Sequence, residues 1–150
     1  MDYIRLVESR LSVDEISELV KSPKCGAISL FIGTTRDNFD GLKVTKLLYE
    51  AYDTMAMKAL KRVCTEIRKK WPDVENIAIY HRLGDVAIME ASVVIAVSSP
   101  HRQASLQAVQ FAIETLKASV PVWKKEEYQD SEAGSAWKEN KECSWSNQSS

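Results

Sequence analysis

A chain of 150 residues, 45% of them hydrophobic and 27% charged, is long enough to bury one globular core and short for two. A net charge of -1 and a pI of about 6.1 exclude a global basic field that would draw the protein onto nucleic acid or a membrane surface, so any anion must be met by a local cluster. The start, MDYIRLVESR, has neither a secretory nor a transit-peptide pattern and no apolar run reaches bilayer length, so a soluble, cytosolic protein is expected.

Tyr3 to Val7 alternates weakly and reads as a first strand. Ser12-Val13-Asp14-Glu15 forms an S-x-x-E capping box ahead of Ile16, Leu19 and Val20, a short amphipathic helix that ends before Pro23. Ala27 to Ile32 reads as a buried strand that reaches the corner Gly33-Thr34-Thr35 and delivers Arg36 to a loop. Asp37-Asn38-Phe39-Asp40-Gly41 carries turn formers and is expected to be mobile. Val44 to Tyr52 then resumes as a strand, most simply joined to the previous one as a hairpin.

Asp53 or Thr54 can cap the next helix, whose apolar stripe is Met55, Leu60, Val63, Cys64 and Ile67. Its basic residues, Lys58 to Lys70, are expected to form a solvated face rather than a nucleic-acid surface. Trp71-Pro72 ends it, Ile77 to Tyr80 is a strand, and Gly84-Asp85 marks a turn. The apolar run Val93 to Val97 stops at Ser98-Ser99-Pro100, where Ser99 suits an N-cap and Pro100 the first helical position. Val120 to Lys125 reads as a final short strand.

The order of elements suggests an α+β fold with three main helices and an antiparallel or mixed sheet, ferredoxin-like in character. Residues 1–127 are expected to form one domain. Residues 128–150 read as a partly flexible tail of loop formers, interrupted by Trp137 and Trp145. Cys25, Cys64 and Cys143 are odd in number and form no CxxC pair, which favours reduced structural thiols over a disulfide framework or a zinc site.

Two clusters can carry chemistry. His101 and Arg102 stand at a helix start, where free backbone N–H groups favour an anion and cations are otherwise opposed by the macrodipole; a phosphate would offset that cost. The competing reading is an exposed helix end whose charges meet only water. Arg36 can offer a fork to phosphate or carboxylate, or can be an ordinary surface arginine. Lys117 either complements a helix C-terminus or, with Lys124 and Lys125 close by and Glu126 able to orient one of them, acts as base or nucleophile. His101 and Lys117 would lie roughly 24 Å apart on one straight helix, too far for one small substrate, so a twofold homodimer with shared sites is the economical arrangement.

The segments GAISLFIGTTRDNF, SSPHR and LKASVPVWKKE, in this order, resemble the large, catalytic subunit of molybdopterin synthase, over about Leu11 to Glu126. The resemblance implies an α/β-hammerhead fold. It also implies a sulfurtransferase that moves sulfur from the C-terminal Gly-Gly thiocarboxylate of a small ubiquitin-like subunit to cyclic pyranopterin monophosphate, making the molybdopterin dithiolene. Two large subunits would form a central homodimer with one small subunit at each end, a heterotetramer, without metal or redox cofactor. Lys117 and Lys124 would be catalytic. Thr34, Thr35, Arg36, His101, Arg102, Lys125 and Glu126 would bind substrate, His101 and Arg102 reaching in from the neighbouring large subunit. The roles of loop 37–43 and of Lys138 and Lys141 stay open. The alternative is a non-enzymatic α+β module that binds a phosphate-bearing ligand or a ubiquitin-like tail.

Overall fold

The computed structural model describes residues 1–128 and the backbone of residues 135–139. In chain order the elements are β1 (Asp2–Val7), α1 (Val13–Val20), β2 (Ala27–Thr34), β3 (Asn38–Phe39), β4 (Leu42–Ala51), α2 (Asp53–Lys70), β5 (Ile77–Arg82), β6 (Gly84–Ala87), β7 (Ala91–Ser99), α3 (Arg102–Ser119), β8 (Val122–Tyr128) and β9 (Ser135–Glu139). They form two sheets. The first, ordered β1-β5-β7-β2, is mixed, with β1 parallel to β5 and the other pairings antiparallel. The second, ordered β3-β4-β8-β9 with β6 also on β4, is antiparallel.

The pleat of β5 and β7 divides the core in two. Ile77, Ile79, Ile95 and Val97 pack with Leu60, Val63 and Ile67 of α2 and Ala108, Ala112 and Leu116 of α3. Ala78, Val94 and Ala96 point to the other face and pack with Ile16 and Val20 of α1. Strand β7 is therefore buried on both faces, which explains its unbroken apolar run. Each fully buried Leu, Ile or Val contributes about 1.5–3 kcal/mol of transfer free energy, so this two-sided strand is where the fold is anchored.

The α+β class and three helices are as the sequence suggests, but the ferredoxin-like picture holds only loosely, because β4 and β8 leave for a sheet of their own. Strands β2 and β4 are consequently not a hairpin: β2 pairs with β7, and β4 with β3, β6 and β8. A smaller hairpin stands in the segment read as a mobile loop. Asp40 (φ 49°) and Gly41 (φ 79°) form a two-residue turn between β3 and β4, and two successive left-handed residues match strand twist. Gly84 (φ 82°) likewise opens β6 instead of remaining a turn.

Helix starts also differ from expectation. Ser12 does cap α1, its Oγ accepting from Glu15 N at 3.3 Å. Helix α2 begins after Tyr52 without a side-chain cap, so Asp53 and Thr54 lie inside it, and Met55 is 59% exposed rather than part of the buried stripe. For α3 the N-cap is His101, and Arg102 is the first helical residue. Ser99 still serves the helix from the end of β7: its Oγ accepts from Ser105 N (3.1 Å) and donates to His101 O (2.6 Å).

Strand β2 is not the buried strand that its composition suggests. Ile28, Leu30 and Ile32 are 38–41% exposed along one face, because β2 is the edge of its sheet and α1 packs over β5 and β7. Strand β8 is not the last, since β9 pairs with it through residues that include Ser135 and Lys138, read above as tail. Lys141, Cys143 and Trp145 lie outside the described residues. Among the described residues no helix is long and apolar enough to cross a membrane.

Candidate active site

A cavity of about 400 Å³ opens where the end of β2, the hairpin β3–β4, the strand β8 and the last turn of α3 converge. Its charged residues come from three places. Arg36 follows the β2 corner, Lys117 stands in the last turn of α3, and Lys124 and Glu126 project from β8. Strand alternation sends those last two to one side: Lys124 lies opposite Tyr49 and Glu126 opposite Leu47, and both β4 residues also line the cavity. Glu126 is only 2% exposed. Its carboxylate accepts from the Tyr128 hydroxyl at 2.5 Å and sits 3.8 Å from Lys124 Nζ, so it holds that lysine over the cavity.

Of the residues expected at the site, Thr34, Arg36, Lys117, Lys124 and Glu126 share this wall. Lys125 does not; it lies opposite Leu48, on the other face of β8. Thr35 does not either. It is buried, its N–H bonds Glu90 O, its carbonyl accepts from Met89 N, and its Oγ1 has no hydrogen-bond partner among the described residues. His101 and Arg102 are exposed at the opposite end of α3 and are absent from the cavity wall. The 18-residue helix thus separates the two clusters as the helical rise requires.

The floor of the cavity was not legible in the sequence as a site. Tyr49, His81 and Ser92 line it, and Asn38 and Phe39 of the hairpin close one side. His81 is 5% exposed and meets the Tyr49 ring edge-on, centroids 5.0 Å apart. Its Nδ1 lies 2.8 Å from Arg82 O; a carbonyl only accepts, so Nδ1 carries the proton and Nε2 is an acceptor. Burial pushes the His81 imidazole down to about 4, and burial, helped by the charge of Glu126, raises the Tyr49 phenol against a hydrogen bond from Ser92. Both rings are neutral near pH 7, beneath a charged rim. The only sequence signal for this floor was the alternation that put Leu47 and Tyr49 on one face of β4.

The buried neutral histidine has a stability consequence. Its folded value lies below the unfolded one of about 6.5, so as pH falls from 6.5 towards 4 the unfolded chain takes up a proton that the folded chain refuses. Stability is therefore fully present above pH 6.5 and is lost by about 3 kcal/mol across that window. Urea unfolding at pH 7 and pH 4.5, at fixed chain concentration, should show a larger acid loss in wild type than in His81→Phe; equal losses would refute the assignment.

Cys25 and Cys64 are free thiols, and burial pushes Cys64 up to about 12, consistent with an inert structural residue. Among the described residues no group of three or more His, Cys, Asp or Glu is arranged to hold a metal ion.

Arg36, Lys117 and Lys124 share one cavity with the buried Glu126, above a neutral polar floor and within an α+β fold, an arrangement whose charge suits a small anionic ligand. The family profile of the MoaE protein matches residues 6–119, and the chain belongs to that family. It is 62% identical to the molybdopterin synthase catalytic subunit 1 of Aedes aegypti, over 97% of this chain and 94% of the relative. The crystal structure of molybdopterin synthase from Staphylococcus aureus superposes with a TM-score of 0.83 at 39% identity, covering 89% of this chain and 94% of that one. A complex of subunits 1 and 2 of the molybdopterin-converting factor of Helicobacter pylori shares the fold, with a TM-score of 0.71 at 21% identity over 84% and 85% of the two chains.

Proposed function

We propose that the chain is the catalytic subunit of a cytosolic molybdopterin synthase. It transfers sulfur from the C-terminal thiocarboxylate of a small ubiquitin-like subunit to cyclic pyranopterin monophosphate, forming the dithiolene. Within the MoaE family, the observation that carries this reading is the convergence of Arg36, Lys117 and Lys124 around buried Glu126 in one open cavity. Both reactants bring negative charge, and cations set beside a low-dielectric wall stabilise charge that develops as sulfur attacks and the cyclic phosphate opens. Lys117 and Lys124 receive the thiocarboxylate, Glu126 positions Lys124, and Arg36 faces the phosphate with Thr34 beside it. Thr35 and Lys125 take no part. Wild-type protein given the pterin and thiocarboxylated small subunit should yield dithiolene; no product would overturn the reading.

The phosphate site is completed by His101 and Arg102 of a second copy. Support comes from β2, an edge strand whose exposed Ile28, Leu30 and Ile32 form an apolar stripe. Its beginning lies beside the start of α3, through Gly26 N to Pro100 O (3.2 Å) and Ser29 Oγ to Ser105 Oγ (2.7 Å). Its end, from Ile32 to Thr34, lines the cavity. Two β2 strands packed about a twofold axis perpendicular to them would run antiparallel, which would set the neighbour's His101 end against this chain's cavity. Leu30→Glu should convert a dimer into a monomer in sedimentation and cut turnover with it, whereas an unchanged dimer would remove β2 from the interface.

A further inference from the structure

Lys117, Lys124 and Arg36 suffice for the charged parts of the two reactants, and neither phosphate nor thiocarboxylate presents a donor of its own. The floor has the opposite character. His81 there is nineteen-twentieths buried, its Nδ1 is committed to the Arg82 carbonyl, and Nε2 has no hydrogen-bond partner among the described residues. An acceptor so placed contributes nothing to the fold and would lose hydration when the cavity fills, so it matches a ligand that brings an N–H group. In the functional reading above, the tail of the small subunit ends at the lysines of the rim. What lies beyond the sulfur, over the floor, is the group that the sulfur attacks.

We propose that His81 Nε2 accepts a hydrogen bond from a ring N–H or amino group of the pyranopterin, and so fixes the depth and orientation of the heterocycle below the cationic rim. The assignment rests on the functional reading above. The Tyr49 edge holds the imidazole plane, and the Nδ1 bond holds the tautomer, so the acceptor is presented in one orientation. Its neutral state near pH 7 keeps it an acceptor when cations surround it.

The chain has two histidines, so imidazole ¹⁵N spectra are simple to assign once only the large subunit is labelled. In the complex with a spent, carboxylate-ended small subunit, cyclic pyranopterin monophosphate should move the His81 Nε2 resonance upfield, and inorganic phosphate should not. Pterin binding with an unmoved His81 overturns the assignment alone. A shift on adding the small subunit without pterin reassigns the acceptor to the tail and overturns it equally. Absence of pterin binding in wild type removes the functional reading and His81's role with it. In turnover, His81→Phe, which keeps the edge-on contact with Tyr49, should raise KM for the pterin about tenfold with a smaller change in kcat, and His81→Gln should recover part of it. A wild-type KM in His81→Phe would refute the proposal.

Discussion

Replacing Lys117 with alanine should lower dithiolene formation by roughly a hundredfold to a thousandfold, the usual consequence of removing one preorganised group that stabilises developing negative charge. The structure makes this substitution a clean one. Lys117 is an exposed residue in the last turn of α3, with no ion pair or side-chain hydrogen bond among the described residues. Its contribution to the fold is limited to complementing the helix C-terminus, at most about 1 kcal/mol. Unfolding and activity loss are thus separable: the variant should melt close to wild type and still bind the small subunit. Lys124→Ala is a less direct probe, because it leaves the buried Glu126 carboxylate without the cation 3.8 Å away. Single-turnover assays with thiocarboxylated small subunit provide the measurement. Undiminished product from Lys117→Ala would remove the catalytic assignment, while Lys117→Arg reports whether charge alone is enough.

The parts of this site that could be read from sequence are those whose residue types stand out against their neighbours. Arg36 stands out at the end of an apolar strand, and Lys117, Lys124 and Glu126 fall close together in sequence around Val120-Pro121-Val122-Trp123; the fold brings all four to one cavity. The structure separates the members of the adjacent pairs. Alternation along β8 turns Lys125 to the face opposite Lys124, and Thr35, just past the end of β2, turns into the interior while Thr34 lines the cavity. His81 and Tyr49 were missed for the converse reason. A neutral ring in a buried strand looks like core until the neighbouring sheet is known to stand away from it.

The same limit governs the fold. The unbroken apolar run of β7 and the periodic stripe of α2 were legible, as was the Ser12 cap. Assignment of β4 and β8 to a second sheet depends on long-range pairing, which local periodicity does not encode. Strand β2 shows this most directly. Its apolar residues satisfy any rule for a buried strand, yet three of the five face outwards. If a second copy covers that face, the composition was correct for the assembly and misleading for the single chain.

A mixture of His101→Ala and Lys117→Ala chains, each on its own at least tenfold less active than wild type, should regain about one quarter of wild-type activity after subunit exchange. Random exchange makes about half of the dimers heterodimers. In each of these one cavity carries both substitutions and the other neither, because His101 is supplied across the twofold axis and Lys117 is not. The expectation follows from α3 itself: the residues stand at opposite ends of an 18-residue helix, and only Lys117 reaches this chain's cavity. If both acted within one chain, every cavity in the mixture would carry one defect, and no activity would return. The control places both substitutions in one chain and mixes it with wild type. Its heterodimers then carry one defect in each cavity, so activity should fall below that expected from dilution. Exchange confirmed by mass spectrometry with no recovered turnover would place His101 outside the shared site, and with it the geometric case for a dimer built on β2.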